Sequence, residues 1–146
     1  MLALGQIGQA SEGLGQKVTT IGDWTIYRDS DAMTDVVTCL GIYQGRPAVQ
    51  LTKDSIAISL NGRGGISSYK YRLDDTPPTE LRLATDTEKD IGAVVFEGDD
   101  FNAIRSANRF RFQALTILDS VVDEDISLRT AQQALAYMSG PNCQKK

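Results

Sequence analysis

Residues 56–73 read Ile56-Ala57-Ile58-Ser59-Leu60-Asn61-Gly62-Arg63-Gly64-Gly65-Ile66-Ser67-Ser68-Tyr69-Lys70-Tyr71-Arg72-Leu73. Large apolar side chains alternate with small or polar ones in both halves, which is the period of a β-strand. Asn61-Gly62 lies between the halves, and Asn-Gly is the strongest short signal for a hairpin turn. No Lys-Ser/Thr pair and no helical pattern follow the glycines, which excludes a phosphate-binding P-loop. The segment therefore predicts two antiparallel strands joined by a hairpin.

The same two-residue period extends along the chain on both sides of this segment. Further strands are predicted at 24–27, 36–43, 49–51, 81–83, 91–96 and 109–118. Glycine, proline and aspartate separate them, as in Gln44-Gly45-Arg46-Pro47 and Asp74-Asp75-Thr76-Pro77-Pro78. Short strands with turns every 8–12 residues are typical of sandwiches and barrels. We therefore predict a mainly β protein, an antiparallel β-sandwich.

Helical spacing occurs at two places. Phe101, Ile104 and Ala107 predict a short helix after Asp99-Asp100, whose charges suit a helix N-terminus. The second helix has an apolar stripe at positions i, i+3, i+4 and i+7: Ala131, Ala134, Leu135 and Met138. Thr130 and Gln133 fit a capping box at its start, and Gly140-Pro141 is a stop signal. This C-terminal helix must pack on the sheets.

The length of 146 residues is typical of one domain with a sizeable core. We assign that domain to residues 21–146. Residues 1–20 are predicted to be a flexible N-terminal arm or the remnant of a secretion signal. Gly8-Gln9-Ala10 has the small-x-small pattern of a signal-peptidase site, although no basic segment precedes it.

Composition excludes several classes of function. The chain has no histidine, which removes Ser-His-Asp and Cys-His catalysis and every histidine-containing zinc site. Two cysteines cannot form a cysteine-only zinc site. The net charge of −4 argues against nucleic-acid binding, and no apolar run approaches the roughly 20 residues of a membrane span. We predict no catalytic, cofactor or metal residues and no cofactor.

Acidic residues form four clusters: Asp29/Asp31/Asp35, Asp74/Asp75, Asp99/Asp100 and Asp123/Glu124/Asp125. Paired carboxylates could serve a glycosidase or bind calcium. Nearly every cluster lies at a predicted turn or helix start, where acidic residues are common. Solvated turns are therefore the favoured interpretation, with calcium binding and catalysis as alternatives.

Basic residues alternate with aromatic ones in two predicted strands. Lys70 and Arg72 alternate with Tyr69 and Tyr71, and Arg109 and Arg111 alternate with Phe110 and Phe112. Such interleaving also occurs in proteins that bind single-stranded nucleic acid. Because the chain is acidic overall, a buried aromatic face with an exposed basic face is the better interpretation. Lys70, Arg72, Arg109 and Arg111 are the candidate interaction face for an anionic partner, either an acidic protein or a surface polymer. Trp24 is predicted to lie in the core.

The two cysteines are Cys39, on a predicted inner strand, and Cys143, close to the C-terminus. A disulfide between them would close a loop of about 105 residues and contribute about 4–5 kcal/mol in the chain-entropy model. It would place the protein in an oxidising compartment, periplasmic or extracellular. The alternative is two free thiols in a cytosolic protein, with Cys39 a small core residue.

Four segments resemble known envelope proteins. Gly22-Asp23-Trp24-Thr25-Ile26 and Cys39-Leu40-Gly41-Ile42-Tyr43-Gln44 resemble the opening of invasion-associated locus B proteins. Tyr69–Pro77 resembles the Tyr-Arg-x-Asp-x-x-Pro strand and turn of small proteobacterial envelope proteins, including accessory periplasmic proteins of type VI secretion. The end of the chain, from Arg109 to Cys143, is similar to their closing strand, apolar helix and terminal cysteine. The resemblance implies a secreted, disulfide-linked β-sandwich of a Gram-negative periplasm.

The first hypothesis for function is a non-catalytic envelope protein that binds another protein or a surface component. A second is a carboxylate-based hydrolase of cell-wall or surface polysaccharide. A third is an inhibitor or immunity protein for a secreted toxin. The sequence leaves the oligomeric state open.

Overall fold

The structure is a computed structural model that describes residues 14–144. Its strands are β1 (Gln16–Ile21), β2 (Trp24–Ser30), β3 (Val37–Tyr43), β4 (Arg46–Leu51), β5 (Ser55–Ser59), β6 (Ser68–Leu73), β7 (Arg82–Leu83), β8 (Ala93–Glu97), β9 (Arg109–Leu115) and β10 (Val121–Ser127). Its helices are α1 (Asp86–Ile91), α2 (Gly98–Arg105) and α3 (Ala131–Met138), followed by a 3-10 helix (Pro141–Cys143).

The strands form two antiparallel sheets. One has six strands in the order β1-β2-β3-β4-β5-β8, and the other has four in the order β10-β9-β6-β7. This confirms the predicted mainly β, antiparallel two-sheet architecture with a short helix and a C-terminal helix. Within the described residues, no helix has both the length and the apolar character needed to cross a membrane.

The core lies between the sheets and is built by alternation along the strands. Trp24 is fully buried in the six-stranded sheet, as predicted. On β8, Phe96 lies 5.1–6.0 Å, centroid to centroid, from four aromatic rings of the four-stranded sheet: Tyr69, Tyr71, Phe110 and Phe112. These rings meet it edge to face, an arrangement that aromatic pairs favour. The buried aromatic face predicted for β6 and β9 is confirmed.

The hairpin predicted at Asn61-Gly62 is wrong. Strand β5 pairs with β4 and β8, whereas β6 pairs with β7 and β9, so the intervening segment crosses from one sheet to the other. A tight turn does form, since the Arg63 amide donates to the Leu60 carbonyl at 2.9 Å. Leu60 and Ile66 are both fully buried between the sheets. Their burial directs the chain before the turn into one sheet and the chain after it into the other.

The predicted capping box is also misplaced. Thr130 makes no capping hydrogen bond, because its hydroxyl accepts from the Asp23 amide at 3.1 Å. A capping box does form at α1, a helix that the periodicity did not predict. There the Thr85 hydroxyl accepts from the Glu88 amide at 3.1 Å, and the Glu88 carboxylate accepts from the Thr85 amide at 2.9 Å.

Helices α2 and α3 confirm the two helical predictions. All four residues of the C-terminal apolar stripe are buried, and the helix ends at Met138, before Gly140-Pro141. Packing on the sheet and the disulfide hold α3, so its start needs no capping box.

Two boundaries differ from prediction. Strand β1 pairs with β2 from Gln16 onward and so lies within the segment predicted to be a flexible arm. Gly8-Gln9-Ala10 lies outside the described residues. The predicted strand 109–118 ends at Leu115, and a turn leads from there into β10. Asp123, Glu124 and Asp125 thus lie within a strand rather than at a turn.

The predicted cysteine pair is confirmed. The sulfurs of Cys39 and Cys143 are at bonding distance, 2.03 Å, with Cα atoms 5.7 Å apart. The bond attaches the 3-10 helix to β3, an interior strand of the six-stranded sheet. A guanidinium nitrogen of Arg28 donates to the Asn142 carbonyl at 3.2 Å and reinforces the attachment.

Candidate functional site

The outer surface of the four-stranded sheet carries the predicted basic residues. We call this surface the open face. It consists of outward side chains on β6, β7, β9 and β10: Lys70, Arg72, Leu83, Arg109, Arg111, Gln113, Leu115, Val121, Asp123 and Asp125. The three helices make their main contacts with strands of the six-stranded sheet, and the residues of the open face are exposed or half-buried.

Alternation explains why the cations share one surface. Tyr69, Tyr71, Phe110 and Phe112 point into the core and are at most 7% exposed, so the residues between them must point outward. The structure thus brings Lys70, Arg72, Arg109 and Arg111 onto the same side of the sheet. Arg109 is exposed and the other three are half-buried, so that all four cations lie on the outer surface of the sheet.

Strand register orders the open face into rows. Leu83 pairs with Ser68, which pairs with Leu115, which pairs with Val121. Ser68 is buried, so three apolar side chains form the exposed part of this row, called the apolar row, at one end of the face. The next row is Lys70–Gln113–Asp123, and the one after it is Arg72–Arg111–Asp125. The surface therefore changes from apolar to charged along the strand direction.

The apolar row is open to solvent. Leu83 is 79% exposed and Val121 is 59% exposed. In the β9–β10 turn, Ile117 and Leu118 are also exposed, at 57% and 77%. Clustered exposed apolar side chains are typical of interaction sites, whereas single ones need no explanation.

One of the four cations is neutralised by an adjacent carboxylate. Arg109 donates two hydrogen bonds to Asp125, at 2.9 and 2.6 Å. These bonds hold the pKa of Asp125 below its ordinary value, although partial burial opposes them. Beside this pair, Asp123 accepts from the Gln113 side-chain amide at 3.0 Å.

Arg72 and Arg111 are direct cross-strand partners with like charge. Such a pairing is unfavourable by a few tenths of a kcal/mol to about 1 kcal/mol. The turn after β6 holds both side chains: Arg72 Nε donates to the Thr76 carbonyl at 3.1 Å, and an Arg111 Nη donates to the Asp74 carbonyl at 2.5 Å. Arg111 Nε is buried and has no hydrogen-bond partner among the described residues.

No carboxylate in residues 14–144 forms a salt bridge with Lys70, Arg72 or Arg111. The charges of Arg109 and Asp125 cancel each other. The three cations and Asp123 therefore give this part of the face a net charge of +2 (3 − 1), although the whole chain has a net charge of −4. A groove of about 390 Å³ is lined by these three cations and Pro78, and on its other side by the acidic residues Asp123, Glu124 and Asp125. The cationic side of this groove can accept anionic groups.

The predicted acidic clusters are engaged in other ways. Asp31 accepts from the amides of Met33 and Thr34, and Asp74 accepts from the amides of Asn108 and Arg109. Asp31 therefore stabilises its own turn, whereas Asp74 links the turn after β6 to the start of β9. Across the part of the chain that the structure describes, no three carboxylate or cysteine side chains are grouped as metal ligands.

Glu124 differs from the other acidic residues because it points inward. Its side chain is 3% exposed and accepts from Arg46 at 2.9 and 3.3 Å and from Arg63 at 3.0 Å. The strand period alone would have placed it opposite to Asp123 and Asp125, but β10 was not predicted. This carboxylate ties β10 to β4 and to the segment that crosses between the sheets.

A second polar cluster links α2 to the edge of the four-stranded sheet. Arg82 donates to Asp100 at 2.8 and 3.3 Å, the Tyr71 hydroxyl donates to Asp100 at 2.9 Å, and Arg82 lies over the Tyr71 ring. The hydrogen bonds from Arg82 lower the pKa of Asp100. Burial, followed by the adjacent carboxylate, raises the pKa of Tyr71. Sequence gave no signal for this cluster, because its members belong to three different elements.

The resemblance to invasion-associated locus B proteins stays a prediction. No protein-family model, curated protein or solved structure matches this chain.

Proposed function

We propose that this protein is a non-catalytic binding module of the cell envelope and that it binds a partner protein through the open face. One observation carries the proposal. Lys70, Arg72 and Arg111 lack carboxylate partners within the described residues and lie beside an exposed apolar row, on a surface that the helices leave accessible. Clustered cations beside exposed apolar side chains are suited to a complementary protein surface.

The disulfide supports an oxidising compartment. Disulfides persist in periplasmic and secreted proteins and are rare in the cytosol. With the resemblance in sequence, this favours export to the periplasm or the exterior of a Gram-negative bacterium. Alkylation of the chain isolated without reductant tests the compartment: the disulfide-bonded protein gains no mass, whereas two alkylated thiols would contradict export.

Capture from envelope extract of the source organism tests the binding role. The face variant Lys70→Glu/Arg72→Glu/Arg111→Glu reverses three charges. The matched control reverses three exposed lysines elsewhere: Lys17, Lys53 and Lys89. Both variants have the same net charge, so a difference between them reports the location of the charges rather than their sum.

A partner captured by the wild type and the control, and lost from the face variant, would support the proposal. Equal capture by all three proteins would contradict it. Circular dichroism of each variant tests whether a loss of capture comes from unfolding. We expect both variants to stay folded because all six side chains point to solvent or lie half-buried on the surface.

A further inference from the structure

We infer that Arg72 and Arg111 form a carboxylate-binding pair that recognises an acidic–apolar segment of the partner protein. This inference rests on the proposed function and specifies the chemistry of the partner. Each guanidinium has five N–H donors, and each donates one hydrogen bond within the described residues. The N–H donors of the Nη groups that these two bonds leave free are available to a ligand, and paired Nη groups match a carboxylate in fork geometry.

The pair is already positioned for binding. The carbonyls of Thr76 and Asp74 hold one nitrogen of each guanidinium, so little side-chain entropy is left to lose when a ligand binds. An anion between the two guanidinium groups would also relieve the unfavourable like-charge pairing. Arg111 Nε has no acceptor in the described part of the chain but is buried, so the Nη groups are the donors that a ligand would reach.

Spacing defines the segment that fits. The apolar row at Leu115, the Lys70 row and the Arg72–Arg111 row follow one another at two-residue intervals along β9. Each interval is about 7 Å. An extended segment lying along the strands also presents its same-side residues about every 7 Å. An apolar residue on the apolar row would therefore place acidic residues two and four positions later over Lys70 and over the arginine pair.

Charge distribution favours a short acidic segment over a membrane or a long polyanion. An extended anionic surface would cover the whole face, and exposed charges within a Debye length of about 8–10 Å still interact with it. At that range the carboxylates of Asp123 and Asp125, on the same face, and the net charge of −4 oppose binding. A short segment lying over β6 and β9 contacts Lys70 and the arginine pair and leaves Asp123 and Asp125, on the outer strand β10, to one side.

The test uses two synthetic five-residue peptides and follows the arginine Nε–Hε signals by NMR. The first peptide has leucine first, glutamate third and fifth, and serine between. The second has glutamine in place of both glutamates. We expect the glutamate peptide to shift the Nε–Hε signals of Arg72 and Arg111 saturably, and the glutamine peptide to leave them unchanged.

Arg111→Gln should weaken binding of the glutamate peptide about tenfold, which corresponds to the loss of one charge-assisted hydrogen bond. Arg72→Lys keeps the charge and loses the fork, so a weakening of several-fold is expected there. Arg105→Gln on α2, with the same change in charge but away from the open face, should change affinity less than twofold.

Inorganic phosphate and phosphatidylglycerol vesicles are the competing probes. If either shifts both arginine signals while the glutamate peptide does not, the inference is overturned, as it is if the two peptides bind equally. The capture experiment and the NMR experiment can fail independently of each other. Partner capture that depends on the face, combined with unmoved arginine signals, would leave the proposed function standing and refute the carboxylate pair.

Discussion

Glu124→Gln should destabilise the folded protein by about 1.5–3 kcal/mol, through the loss of charge-assisted bonds. The Glu124 side chain is 3% exposed and receives three hydrogen bonds from Arg46 and Arg63. A glutamine in the same position has one acceptor oxygen. Its NH₂ group would face a guanidinium, and two donors cannot form a hydrogen bond with each other. One or two of the three bonds are therefore lost, at about 1.5 kcal/mol each.

Exposure of the arginines limits the loss. Removing one partner from a buried ion pair costs about 3–5 kcal/mol when the remaining charge stays buried. The side chains of Arg46 and Arg63 are 45% and 34% exposed, so water can replace part of what Glu124 provides. This places the expected value below that range.

Urea unfolding at pH 7 with the disulfide intact measures the change, and Asp125→Asn is the matched control. Asp125 is the next residue of β10, and its ion pair with Arg109 is about half exposed on both sides. Exposed pairs contribute less than about 1 kcal/mol. If Glu124→Gln lost no more stability than Asp125→Asn, the structural role given to the buried carboxylate would be refuted.

Replacing both cysteines by serine should cost about 4–5 kcal/mol of unfolding free energy in the chain-entropy model, since the disulfide closes a separation of 104 residues; a loss under about 1 kcal/mol would contradict this. Gly22→Ala should cost at least about 1 kcal/mol more than Gly45→Ala, by the same denaturation assay. Both glycines have positive φ, but only at Gly22 would a Cβ overlap another side chain, that of Thr130. Asp100 has a lowered pKa, so its contribution to stability is complete above its unfolded pKa, near 3.8, and is lost as pH falls through the folded value. Asp100→Asn should therefore flatten the dependence of stability on pH below about pH 4. Tyr71 has a raised pKa, so its contribution is complete below pH 10 and is lost above it; ultraviolet titration should show this phenol ionising after exposed tyrosines.

Alternation predicted most of the strands because large apolar residues at every second position can be buried only on one face of a sheet. It failed at β10, where Val121, Asp123 and Asp125 face solvent and Glu124 occupies an inward position. An inward carboxylate breaks the apolar pattern, and its partners Arg46 and Arg63 lie 78 and 61 residues away. No local window contains the information that makes this strand stable.

Capping and turn signals failed for a related reason. Thr85 and Thr130 both begin local patterns that fit a capping box, yet only Thr85 forms one, because the Thr130 hydroxyl is taken by the distant amide of Asp23. Asn61-Gly62 lies in a tight turn, but this turn does not form the predicted hairpin. The burial of the flanking residues between the sheets decides which strands this turn joins. Local turn chemistry does not encode that burial.

The candidate site shows what strand register adds to periodicity. The two-residue period alone placed Lys70, Arg72, Arg109 and Arg111 on one exposed face and treated the four cations as equivalent. Pairing of β9 with β10 brings Asp125 beside Arg109 and Arg111, and Asp125 binds Arg109. Pairing of β6 with β9 sets Arg72 against Arg111. Because the sequence patterns did not predict β10, they could not show that Asp125 neutralises Arg109 or that Asp123 lies on the same face. The register therefore narrows the predicted face to Lys70, Arg72 and Arg111, and this subset predicts that Arg109→Gln weakens partner binding less than Arg111→Gln.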